Sequence, residues 1–285
     1  MPDPTDEELE ELRRTLQTQV WTSHNIKLAD DLMTMPGAPD FMTTDTRLAA
    51  IRRIIRTRFG NDISGLTVAD LGCLEGGFAL ALALEGADVV GIEAREANLA
   101  KAELLGRWFN LKNLTFQLAD VKTFTAEAFG SFDVVLALGI AYHLDRPAAW
   151  LHQIAKATKT LLVIDSHFAP ADDAALAAMQ ADIRGLSALE VESGTNYPGR
   201  WYSEFEEHIS STALEAQQWA SWSNHRSFWL TEESILLALV NAGFDNVTQQ
   251  HDATVGAYGY FRDKFCRGMY VAQRSQGPQT SALTK

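Results

Sequence analysis

Between residues 66 and 166, short apolar runs alternate with stretches whose apolar positions recur at helical spacing. "LTVADL" (66–71) reads as a buried strand, and "FALALALEG" (78–86) as a helix closing at Gly86. "ADVVGIEA" (87–94) is a second strand and "REANLAKAELLGRWF" (95–109) a second helix. "LTFQLAD" (114–120) and "FDVVLALG" (132–139) follow as strands, then the helix "PAAWLHQIAKAT" (147–158), with Pro147 in its first turn, where its fixed φ suits a helix start. "TLLVIDS" (160–166) is the fifth strand. Strands without polar alternation, separated by helices, predict a parallel sheet covered on both faces. Upstream, "RLAAIRRIIRTRF" (47–59) predicts an amphipathic helix, with Leu48, Ile51, Ile54 and Ile55 inward and Arg52, Arg53, Arg56 and Arg58 on a solvated face.

After Asp165 the pattern changes. Residues 170–181 read as helical, whereas 185–228 are rich in Gly, Ser, Trp, Tyr and His without a clean period. "TEESILLALVNAGF" (231–244) is a helix that Thr231 can cap and Gly243 can end, and "NVTQQH" (246–251) and "GMYVAQR" (268–274) are late strands. The expected organisation is an N-terminal cap or flap over 1–42, a core over 43–169 and 230–274, and a helical, aromatic-rich substrate lid over 170–229. A polar, disordered tail is expected over 275–285.

The chain has 285 residues, 46% of them hydrophobic, enough for one large domain with an insertion. A net charge of −13 gives no basic footprint for nucleic acid. No apolar run approaches the ~20 residues that span a bilayer, so no membrane partner is expected. The start "MPDPTDEELEEL" lacks a signal pattern and runs into a helix, and two cysteines, Cys73 and Cys266, make no disulfide framework. The expected compartment is cytoplasmic.

The first strand leads into "GCLEGG" (72–77). A dinucleotide fingerprint starting at Gly72 needs glycines at 74 and 77, but position 74 is Leu, and Glu75 stands at the helix start, where a phosphate would otherwise sit. The turn therefore argues against a diphosphate and suits a nucleoside without phosphates, such as S-adenosylmethionine. Asp70, Glu93 and Asp120 end the first three strands. At the carboxyl edge of an open sheet, Glu93 can accept from both ribose hydroxyls and Asp120 from the adenine amino group. Taken singly, each acid could instead cap the next helix.

The stretches "VADLGCLEGGFAL", "VVGIEAREANLAKA", "LADV" and "FDVVLALGIAYHLDRP" together resemble the class I S-adenosylmethionine-dependent methyltransferases over roughly residues 60–166. The resemblance implies an α/β Rossmann-like, seven-stranded, mostly parallel sheet of order 3-2-1-4-5-7-6, its last strand antiparallel. It also implies that Asp70, Gly72, Cys73, Leu74 and Gly76 hold the amino-acid end, Glu93 and Ala94 the ribose, Asp120 and Val121 the adenine edge, and Gly139 the wall beside the sulfonium. Leu74 departs from the pattern, since many members carry a second glycine there.

Methyl transfer to a hydroxyl needs a base, and histidine titrates near neutrality. Tyr142 and His143 follow the fourth strand and His167 the fifth, making them the catalytic candidates. Asp165 with His167 is a candidate metal pair without a visible third ligand. Trp21, His24, Arg200, Trp201, Tyr202 and Asn224 are candidates for holding a hydroxylated acceptor under the flap and lid. The expected reaction is O-methylation of a small natural product or sugar-containing metabolite, with a homodimer left open. Two alternatives stand beside it. One is tRNA wobble-uridine methyl or carboxymethyl transfer, since "GIAYHLDRP" and the late helix are also similar to those enzymes; the other is a non-catalytic S-adenosylmethionine-binding protein.

Overall fold

The computed structural model describes residues 5–172, 187–205, 209–210, 212–213, 217, 220–251 and 266–275. Helix α1 (Asp6–Gln17) opens with a capping box in which Thr5 and Glu8 exchange hydrogen bonds, and a small hairpin, β1 (Lys27–Ala29) and β2 (Leu32–Met33), follows. Helix α2 (Phe41–Thr44) leads into α3 (Thr46–Phe59), which buries Leu48, Ile51, Ile54 and Ile55 as its apolar spacing predicts. Arg52 and Arg56 stay on the outer face, where both reach Glu85.

The core then alternates: β3 (Thr67–Leu71), α4 (Gly77–Leu84), β4 (Asp88–Glu93), α5 (Glu96–Trp108), β5 (Leu114–Leu118), α6 (Ala126–Phe129), β6 (Phe132–Leu138), α7 (Pro147–Ala157) and β7 (Thr158–His167). The seven-stranded sheet has the order β11-β12-β7-β6-β3-β4-β5, with β11 at Asn246–Gln250 and β12 at Arg267–Gln273. Counted within the sheet this is 3-2-1-4-5-7-6, and β12 runs antiparallel to both neighbours. Register aligns Leu71 with Ile92, Glu93 with Leu118 and Leu138 with Asp165, so the carboxyl ends of β3 to β7 form one edge. Two apolar clusters, one per face, bury β3, β6 and β7 from both sides. Helix α8 (Glu232–Asn241) starts on Thr231, whose side chain accepts from the Ser234 N–H.

The insertion differs from expectation. Its described residues include a three-stranded antiparallel sheet, β8 (Ser187–Glu192), β9 (Thr195–Ser203) and β10 (Arg226–Leu230), which the expected helical lid did not contain. Ser193 and Gly194, with φ of 51° and 80°, form the two-residue turn between paired Glu192 and Thr195. That double left-handed geometry matches the twist of a hairpin. The β10 pairing extends to Leu230, one residue into the segment assigned to the core. Of the helix expected at 170–181, residues 173–181 lie outside the described residues, as does the tail beyond 275. Among the described residues, no helix is long and apolar enough to cross a membrane.

Candidate active site at the carboxyl edge of the sheet

The loop after β3 is fixed by backbone hydrogen bonds. Gly72 and Cys73 both donate to Ile92 O, at 2.8 and 3.0 Å, stitching the loop to the end of β4. Leu74 takes a φ of 54°, the left-handed conformation for which glycine is the ordinary choice, and its N–H donates to Glu93 Oε2 at 3.0 Å. The backbone demand of the loop is thus met without the glycine. Cys73 is buried and its thiol is pushed well up by burial first and by Asp70 and Glu93 next, which makes it inert.

These bonds leave an open cavity over the sheet edge, lined by Asp70, Gly72, Cys73, Leu74, Glu93, Ala94, Asp120, Val121 and Gly139. Asp70 is 1% exposed, and its Oδ2 has no hydrogen-bond partner among the described residues. Burial raises its pKa to about 7 against a lowering backbone hydrogen bond from Ala79. A buried, half-satisfied carboxylate facing a cavity fits the ammonium of an amino acid. Glu93 accepts from Leu74 N–H and Arg95 N–H, one on each oxygen; burial pushes its pKa up, and each oxygen has a second lone pair for ribose. Asp120 accepts from Lys122 N–H and caps the turn Val121–Thr123. Gly76 sits apart from the lining: it caps α4 with φ 77°, and a Cβ there would come within 2.9 Å of Ala102 and Phe116. A side chain there would have no room.

Glu75, read from the sequence only as a deterrent to phosphate, has a structural task. It is fully buried and accepts from the N–H groups of Thr22 (2.8 Å), Ser23 (3.1 Å) and His24 (2.9 Å), with Lys101 Nζ at 3.2 Å. Burial alone would raise its pKa; the His24 N–H and Lys101 hold it below the ordinary value. This clasp fastens the N-terminal segment over the glycine loop. His24 lines the cavity while its Nδ1 accepts from Gly77 N–H at 3.1 Å, so Nε2 carries the ring proton. Burial lowers its pKa to about 4. Position 77 must be glycine for this approach, since a Cβ would stand 2.6 Å from the His24 ring.

Beyond Gly139, Tyr142 and His143 line the same cavity, and so does Asn224, whose Nδ2 donates to His143 O. His143 Nδ1 lies 2.8 Å from Oε1 of Glu204, a side chain only 2% exposed. Glu204 is held in turn by Ser227 Oγ at 2.8 Å and Ser221 N–H at 3.1 Å. No sequence motif flagged Glu204 as a partner of His143, because it arrives from the insertion. Tyr142 is half-buried, and desolvation raises its hydroxyl pKa, with Arg267 opposing. The segment Ala220–Asn224 roofs the nucleoside end, tied down by Arg95 onto the carbonyls of Gln217, Ala220 and Ser221 and by Lys122 onto Ser223 and Asn224.

Several candidates lie elsewhere. His167 stacks on Trp229 with centroids 4.9 Å apart and meets Tyr142 edge-on, outside this cavity, because β10 covers the end of β7. Arg200 is 0% exposed and donates to the carbonyls of Pro170 and Ala171, so it ties β9 to the segment after β7 and does not reach the acceptor space. Trp201 packs on Phe228 with Arg226 over its ring, and Tyr202 packs on Trp229. Trp21, within the flap, is buried beside Lys101. Asp165 is engaged by Arg267 at 3.0 and 2.8 Å, which removes it from any metal pair with His167. Among the described residues no three His, Cys, Asp or Glu side chains converge as a metal site.

Residues 43–249 match the model of a methyltransferase-domain family. Curated relatives include the ubiquinone biosynthesis O-methyltransferases of Acinetobacter baumannii (strain AYE), 34% identical over 105 residues, 37% of this chain and 43% of that one. That of Caulobacter vibrioides is 28% identical over 170 residues, 58% of this chain and 62% of that one. The chain thus spans less than two thirds of these relatives' length. Among solved structures, the N-terminal domain of EvdMO1 in the presence of SAH and D-fucose superposes with TM-score 0.66 at 22% identity, covering 95% of this chain and 98% of that one. Magnesium protoporphyrin IX methyltransferase from Synechocystis PCC 6803, with bound SAH, gives 0.51 at 18% identity, covering 85% and 90%. The fold is that of the Rossmann-like class I S-adenosylmethionine-dependent methyltransferases. The chain belongs to the methyltransferase-domain family.

Proposed function

We propose that the protein transfers a methyl group from S-adenosylmethionine to a hydroxyl of a small molecule, a hydroxylated natural product or a sugar-containing metabolite. The observation that carries this reading is the His143–Glu204 pair on the cavity wall beyond Gly139. A carboxylate only accepts, so it fixes the proton of neutral His143 on Nδ1 and leaves Nε2 as the base. When bound, the cofactor supplies an electrophilic methyl on a sulfonium. Asp70 Oδ2 would take its amino group, Glu93 its ribose hydroxyls and Asp120 its adenine edge. His143 Nε2 would take the acceptor's hydroxyl proton as that oxygen receives the methyl group. The flap clasped by Glu75 and the roof over residues 220–224 exclude water from this step. The relatives are named as O-methyltransferases, which agrees with oxygen as the acceptor atom.

The test is radiolabelled methyl transfer to fractionated small metabolites, with and without chelator. Transfer that survives chelator, and that His143→Ala abolishes without loss of S-adenosylhomocysteine binding, is the expected result. Full activity in that variant, or product labelled only on nitrogen, overturns the reading.

A further inference from the structure

Two arginines from distant parts of the chain meet at the acceptor side of the cavity. Arg47, in the first turn of α3, and Arg267, at the start of β12, both line it. They converge on one carboxylate: Arg267 Nη2 is 2.8 Å from Asp165 Oδ2, and Arg47 Nη1 is 3.6 Å from the same atom. Arg47 also holds Asp45 at 2.8 Å. Both counter-carboxylates stand behind the guanidiniums, and neither lines the cavity. Arg267 reaches the end of β6, where its Nη2 lies 3.2 Å from the point a Cβ on Gly139 would occupy, and its guanidinium stands 5.6 Å from the Tyr142 ring centre.

Resting on the methyl-transfer reading above, we infer that the acceptor carries a carboxylate, seated against Arg47 and Arg267 beside the hydroxyl that is methylated. Removing the hydroxyl proton needs only His143, so two guanidiniums at the same chamber exceed what the transfer itself requires. Asp45 and Asp165 offset the charge of the two guanidiniums from behind, and both groups still line a space shielded from water, where an anionic group gains more from them than a neutral one. Guanidiniums also match a planar carboxylate with paired hydrogen bonds, which a lone hydroxyl does not use. The carboxylate would set the acceptor's orientation and so present one hydroxyl to Nε2 of His143.

The probes are benzoate, benzamide and benzyl alcohol, titrated by ligand-observed NMR onto protein saturated with S-adenosylhomocysteine. Calorimetry first establishes that saturation. Benzoate should bind about tenfold or more tightly than either neutral probe, and Arg47→Gln should remove most of that preference. Arg267→Lys keeps a charge against buried Asp165 but loses the fork, so an intermediate loss is expected from it. Equal binding of benzoate and benzamide, no detectable benzoate binding, or a preference unchanged in Arg47→Gln overturns the inference while leaving methyl transfer standing. Failure of S-adenosylhomocysteine to bind removes the methyl-transfer reading and this inference with it.

Discussion

His143 Nδ1 and Glu204 Oε1 stand 2.8 Å apart across 61 residues of chain, joining the segment after β6 to the insertion. If this pair supplies the base, His143→Gln should lower the turnover number by about 10²–10⁴-fold, the usual range for a general base. Glu204→Gln should give a smaller loss, because the amide keeps a hydrogen bond to the ring but no longer stabilises the imidazolium. Single-turnover kinetics with S-adenosylhomocysteine affinity measured in parallel checks both; loss of cofactor binding in either variant would point to misfolding instead.

Asp70 has a pKa raised to about 7 before any ligand binds. A ligand ammonium favours its ionised form, so binding expels a proton from the fraction of Asp70 still protonated. S-adenosylhomocysteine should therefore bind more tightly as pH rises from 6 to 8. Calorimetry in buffers of different ionisation enthalpy should record proton release near neutrality. In Asp70→Asn the pH dependence should vanish and affinity should fall by about 1.5–3 kcal/mol, the worth of a charged hydrogen bond.

Glu75 holds three consecutive backbone N–H groups of the N-terminal segment. In Glu75→Gln the amide turns a donor toward those donors and leaves Lys101 without its ion-pair partner in a buried place. A loss of about 2–4 kcal/mol is expected, together with faster proteolysis ahead of β1. Urea denaturation and timed trypsin digestion measure the two effects.

His24 is neutral in the folded protein, with a pKa lowered to about 4 from an ordinary 6.5, burial being the main cause. The unfolded chain binds that proton first, so stability from this residue is intact above about pH 6.5 and is lost as pH falls toward 4, by up to about 3 kcal/mol. Asp70 works in the opposite sense, its raised pKa costing stability as pH climbs from about 4 to 7. Comparing denaturation of the wild type with His24→Gln at pH 7 and pH 4.5 isolates the histidine, and the variant should lose less stability on acidification.

Arg95 donates to three carbonyls of the roof segment and stands 5.4 Å from the Trp222 ring centre. Arg95→Ala should speed amide exchange at Ala220–Asn224 and weaken S-adenosylhomocysteine binding several-fold. Exchange mass spectrometry reads the first effect, and unchanged protection of the roof would refute the latch.

The core strands and the acids at their ends were legible because each depends on its own neighbours along the chain. Strand periodicity sets which residues face the layers, and a strand's last residue reaches the carboxyl edge wherever the sheet docks. Asp70, Glu93 and Asp120 belong to that class, as does the glycine turn. The hairpin of the insertion also carried a local signal, Ser193-Gly194 between aromatic and branched residues, which the absence of a helical period obscured. Arg200 and His167 carried no such signal. The first is a buried charge that donates to the carbonyls of Pro170 and Ala171, the second a ring covered by Trp229.

By itself, then, the sequence determined the order of strands and helices, the left-handed turn after β3 and the acidic edge, since these follow from backbone preference and periodic burial. Tertiary structure alone decided which histidine meets a carboxylate, that Glu75 clasps the flap, and that Arg47 and Arg267 share Asp165. Those pairings join residues far apart in the chain. They exist only because burying the sheet's two faces brings those segments to one edge, and periodicity along a chain carries no record of which distant segments meet.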